Sequence, residues 1–93
     1  MKNERFASVW DAIEDTPEEA ENMKLRSALM MALKAHLLRS GLSQAQAAKL
    51  FCVTQPRVSD LTRGKVDFFG LDALVNMAAA AGLRIEMRVL EAA

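Results

Sequence analysis

The sequence predicts one mostly α-helical domain of five helices, closed by a short C-terminal β-strand that pairs across a dimer. Three observations lead there. Apolar residues recur at helical spacing over most of the chain, hydroxyl caps and glycines punctuate the segments, and the pattern changes to two-residue alternation after Gly82. At 93 residues the chain is one domain rather than two. A chain this short buries only about 60–65% of the surface it exposes unfolded, so an oligomer gains from shared apolar area.

Phe6, Val9, Trp10 and Ile13 fall at i, i+3, i+4 and i+7, which predicts a first helix over about 5–14 with one apolar stripe. Thr16-Pro17-Glu18-Glu19 then reads as a helix start: a hydroxyl cap, a proline at the first helical position and a glutamate three residues on. The helix it opens is expected to run to about Ser40, with Leu25, Ala28, Leu29, Ala32, Leu33, His36 and Leu37 on its stripe and Gly41 as the left-handed stop. Ser43 with Gln46 is a second capping box, opening a compact helix that ends near Cys52-Val53. Thr54 offers a third cap, followed by Pro56 in the first turn and a helix through Val58 and Leu61 to Gly64. Leu71, Leu74, Val75 and Ala78 mark the fifth helix, stopped by Gly82.

In the tail, Leu83, Ile85, Met87 and Val89 alternate with Arg84, Glu86, Arg88 and Leu90, the period of a strand with one apolar face over 83–90. Nothing else in the chain reads as a strand. Its backbone groups must therefore pair outside the chain, with the same tail of a second copy or with another protein's sheet edge, unless the tail packs as extended chain on its own domain.

Charge adds a second layer. The total is zero, from 12 basic and 12 acidic residues, but it is segregated along the chain. Residues 1–23 hold two basic against seven acidic side chains, residues 24–65 eight against one, and residues 66–93 two against four. A basic centre attracts polyanions whatever the total. No apolar stretch reaches the ~18 residues of a membrane span, and the first residues lack the apolar core of a secretory signal, so a cytoplasmic protein without membrane contact is expected. One cysteine and one histidine make no internal disulfide and no ordinary four-ligand metal site, so no cofactor is expected. His36 lies beside Leu33 and Leu37 with no acid or nucleophile to work with, and Cys52 has no second thiol to resolve it; neither suggests an enzyme.

The window 42–64, LSQAQAAKLFCVTQPRVSDLTRG, is a helix-turn-helix pattern. Ala48 supplies the small residue where the second helix crowds the first, Val58 and Leu61 face inward, and Val53 closes the turn. Thr54, Gln55, Arg57 and Ser59 are expected outward at the start of the second helix, as readers of base edges in a major groove, with Gln suited to adenine and Arg to guanine. Lys49, Arg63 and Lys65 flank that helix as candidates for phosphate contact.

This window resembles the helix-turn-helix of the Xre/Cro/lambda-repressor-like family, without a gap from Leu42 to Gly64. The resemblance implies that Gln44 opens its helix against a phosphate and that Gln55 is a principal base contact. It also marks a departure: the family usually carries glycine in the turn, at a position favouring positive φ, where this chain has Cys52. More broadly, the acidic lead and the strand-like tail resemble the HigA-like subgroup of small antitoxins, which are paired with RelE/HigB-like ribonuclease toxins. That resemblance implies a homodimer on a palindromic operator of double-stranded DNA, repression of its own operon, and neutralisation of a small basic toxin. The binding surface would be Phe6, Val9, Trp10 and Ile13, and the same stripe could instead cover the domain's own core. A stand-alone repressor without a toxin, and an interaction module that binds no DNA, remain the other readings.

Overall fold

A computed structural model of the chain describes residues 16–91, so the expected first helix over 5–14, with Phe6, Val9, Trp10 and Ile13, lies outside the described residues. The described residues form four α-helices: α1 (Pro17–Ser40), α2 (Gln44–Phe51), α3 (Gln55–Thr62) and α4 (Leu71–Ala80), with a short 3-10 turn, Val66–Phe68, between α3 and α4. None of them is long and apolar enough to cross a membrane.

The helix starts follow the local chemistry of the sequence. Thr16 Oγ1 accepts from the Glu19 N–H at 3.1 Å with Pro17 in the first turn, which opens α1. At α2 the capping box closes in both directions: the Gln46 N–H donates to Ser43 Oγ at 3.1 Å, and the Ser43 N–H donates to Gln46 Oε1 at 3.0 Å. Thr54 caps α3 by position only, without a side-chain hydrogen bond to the helix.

Three helix ends share one device. The N–H of the residue after a left-handed position reaches back five residues: Val53 to the Ala48 carbonyl at 2.9 Å, Lys65 to Asp60 at 3.0 Å, and Leu83 to Ala78 at 2.9 Å. Glycine supplies the left-handed residue at Gly64 (φ 75) and Gly82 (φ 79), whereas Cys52 (φ 60) supplies it after α2. A Cβ in that region meets the following carbonyl oxygen and costs about 1–2 kcal/mol. The turn between α2 and α3 is kept in spite of that cost because Val53, just beyond it, packs against the core.

That core draws on every element. Met30, Leu33 and Leu37 come from α1, Ala47, Ala48 and Phe51 from α2, Val58 and Leu61 from α3, Phe69 from the segment before α4, and Leu74, Met77 and Ala78 from α4 itself. The paired alanines let α3 cross close to α2, with Val58 and Leu61 fully buried beneath the crossing. Burying each large side chain, Phe51 and Phe69 foremost, contributes about 1.5–3 kcal/mol.

One expectation needs correction. The inward stripe of α1 runs through Met30, Leu33 and Leu37, with Leu29 half-buried against it, whereas Leu25 and Ala28 are exposed. The strand expected over 83–90 calls for a partner outside the chain: among the described residues there is no strand, and beyond Leu83 the tail has no ladder partner.

Replacing Cys52 by glycine removes the Cβ penalty at φ 60 while keeping the turn. Cys52→Gly is expected to raise stability by about 1 kcal/mol, seen in urea unfolding as a higher midpoint at unchanged slope. A lower midpoint would contradict the assignment of strain to this residue.

Candidate nucleic-acid interface

α2 and α3 form the helix pair, joined by Cys52, Val53 and Thr54. The start of α3 presents Thr54 and Gln55 to solvent, and Ser59 follows, half-exposed, one turn later. A helix turns by about 100° per residue, so Gln55 and Ser59 lie within roughly 40° of each other and share one edge of α3. With no capping bond to make, the Thr54 hydroxyl is free to meet a ligand beside them. Thr62, whose hydroxyl donates to the Ser59 carbonyl at 2.9 Å, continues the edge.

Arg57 does not belong to it. Two residues from both Gln55 and Ser59, it is displaced from each by roughly 160° around the helix. Its guanidinium turns toward the loop before α4, where Nη1 donates to the Phe68 carbonyl at 2.8 Å and the group lies 4.1 Å from the centroid of the buried Phe69 ring. The structure thus parts Arg57 from the outward set in which the sequence placed it. The signal was present in the sequence, since side chains two apart on a helix do not share a face.

The loop is held from the other side by a residue that sequence reasoning missed. Arg26, half-buried on α1, donates through Nη1 to the Phe69 carbonyl at 3.2 Å, while its buried Nε has no hydrogen-bond partner. Two arginines from distant parts of the chain therefore hold successive carbonyls of one loop. No local pattern announces such a pairing, because it depends on how α1 and α3 come together.

Around the helix pair, Gln44, Lys49, Arg63 and Lys65 are all exposed. Gln44 stands at the first position of α2, Lys49 in its last turn, and Arg63 just past α3. Lys65 Nζ lies 5.3 Å from the centroid of the Phe68 ring, itself half-exposed, which places an ammonium group beside an aromatic face at the edge of the unit. Asp60 is the single acid between Gln44 and Lys65, against four basic residues. Among the described residues no cluster of three or more His, Cys, Asp or Glu is placed to hold a metal ion.

Two short helices crossing over small residues, a tight left-handed turn between them, and a polar edge flanked by cations define a helix-turn-helix unit. The family model of the helix-turn-helix domain matches residues 12–90, most of the chain, and the protein belongs to that family. No curated protein matches the chain.

If Arg57 acts as a clamp, its loss is felt in folding. A charged hydrogen bond of this kind and the ring contact together suggest that Arg57→Met lowers stability by about 2 kcal/mol. Gln55→Ala, on the exposed edge, is expected to leave it within about 0.5 kcal/mol. Equal unfolding midpoints for the two variants would contradict the clamp.

Proposed function

We propose that the protein is a sequence-specific, DNA-binding transcriptional repressor that acts as a homodimer and needs neither cofactor nor catalysis. The observation that carries this reading is the exposed edge of Thr54, Gln55 and Ser59 on a helix whose opposite flank is tied into the domain by Arg57. Inserted in a major groove, Gln55 pairs in bidentate fashion with adenine, and the Thr54 and Ser59 hydroxyls add contacts to either strand. Arg57, held by Phe68 and Phe69, takes no part in guanine recognition, and the expected half-site is read around adenine. Gln44, Lys49, Arg63 and Lys65 meet phosphates and set the register.

One helix of this size reads only a few base pairs. Specificity then comes from two copies on an inverted repeat with half-sites about 34 Å apart, the spacing of one turn of DNA. Such a protein works in the cytoplasm on its own operator.

A second activity is favoured by one observation on the sequence. Residues 1–23 combine a net charge of −5 with the stripe Phe6, Val9, Trp10 and Ile13. A ribonuclease that grips RNA is basic, and an acidic segment with aromatic anchors is the complementary surface. On this reading the protein is an antitoxin that neutralises a small ribonuclease toxin and represses the operon encoding both.

Binding to duplexes selected from a random pool tests the DNA reading. Gln55→Ala is expected to lose about 10- to 100-fold of the discrimination between selected and scrambled sites. Lys49→Ala should weaken both sites alike and flatten the salt dependence by about one phosphate. Absence of any salt-dependent binding by the wild-type chain would make the protein an interaction module instead. For the toxin reading, Trp10→Ala together with Phe6→Ala should abolish stoichiometric recovery of a small basic partner from native cells. Recovery of the dimer alone from wild-type cells would favour a stand-alone repressor.

A further inference from the structure

Between α1, α4 and the tail lies an apolar groove of about 310 Å³, lined on the helix side by Leu25, Leu29, Leu71 and Val75 and on the tail side by Ile85 and Met87. The apolar face of the tail thus borders this groove, with Glu86 and Arg88 beside it. Yet it is poorly covered: Met87 is 65% exposed and Val89 88%. The backbone of the same residues has no ladder partner. An edge with open backbone groups and an uncovered apolar face calls for a second strand laid beside it.

We propose that the occupant is the tail of a second copy, paired antiparallel in one register, centred on Met87. The proposal rests on the dimer reading given above and adds to it the pairing that the sequence selects. In a two-fold pair whose axis stands perpendicular to the ribbon, both copies keep their apolar residues on the same side, and the axis passes through a single residue position. Centring it on Glu86 sets Arg84 opposite Arg88 and Glu86 opposite itself, so like charges face each other throughout. Centring it on Met87 sets Glu86 opposite Arg88 twice and Ile85 opposite Val89 twice, with Met87 against its own copy.

Charge alone also permits an axis at Ile85, where Glu86 would face Arg84 of the second copy. But that axis leaves Val89 opposite Ala81, at the end of α4, rather than opposite another tail residue. In the Met87 register the second copy's Val89 stands beside Ile85 at the rim of the groove. The two-stranded ribbon then covers the Leu25–Leu29–Val75 face of both domains with its apolar side, and the alternating Arg and Glu side chains point to water.

Cysteine cross-linking reads the register directly, in a Cys52→Gly background that leaves no native thiol. Opposite residues of an antiparallel pair sit about 4.5–5.5 Å apart at Cα, within disulfide reach. Residues displaced by four positions are about 13 Å apart along the ribbon and out of reach. Met87→Cys is expected to form a disulfide dimer under mild oxidation, Ile85→Cys and Val89→Cys to do so only when mixed with each other. Self-linking of Ile85→Cys or Val89→Cys without Met87→Cys would overturn the register while leaving tail pairing intact. A monomer in sedimentation, or a dimer that none of these thiols links, would overturn tail pairing itself and the register with it. Charge exchange gives a second readout: Glu86→Arg should weaken the dimer about tenfold, and adding Arg88→Glu should restore it. Restoration by Arg84→Glu instead would move the axis to Ile85 and refute the proposal.

Discussion

Phe69 ties the helix pair to the rest of the domain. Its ring is fully buried, the Arg57 guanidinium from α3 lies against it, and its carbonyl accepts from Arg26 on α1 while the neighbouring Phe68 carbonyl accepts from Arg57. A carbonyl withdrawn from water without a partner costs about 1–3 kcal/mol, which Arg26 offsets at the part-buried Phe69 carbonyl, and Arg57 adds a second tie at the exposed Phe68 carbonyl. In doing so they fix where α3 sits relative to α1 and α4. The edge of α3 that carries Gln55 and Ser59 is aimed by what happens on its opposite flank.

This division of labour explains how Arg57 resembles a base reader in sequence while its guanidinium lies against the loop before α4. Hydrogen-bonding side chains at the start of a helix look alike until the angular position of each is considered, and here the same short helix must serve two tasks with few residues. Val58 and Leu61 fill the core, Arg57 holds the loop, and Gln55, Ser59 and Thr62 are left for the outside. The helix is eight residues long, so each face is narrow.

Local chemistry was the most legible part of the fold. The caps at Thr16 and Ser43, proline at the head of α1 and the left-handed stop at Gly41 involve residues within five positions of each other, and all are visible in the chain as written. The left-handed turn at Cys52 was legible through family resemblance, since nothing in cysteine itself favours φ 60. Long-range features were hidden: that Met30 rather than Leu29 lies at the centre of the core, that Phe69 is buried whereas Phe68 stays half-exposed, and that Arg26 reaches a residue 43 positions away. The tail is an intermediate case. Its alternation is plain, but a strand exists only with a partner, and one chain does not contain it.

The central claim is that DNA meets the Gln55–Ser59 edge of α3 while Arg57 stays with its loop. Amide and guanidinium NMR spectra of the full chain, recorded with and without a duplex selected from a random pool, test it most directly. The account predicts large shifts for the Gln55 side-chain amide and the Ser59 backbone amide at saturation, with the Arg57 Nε–H signal in place. A spectrum in which Arg57 moves and Gln55 does not would contradict it.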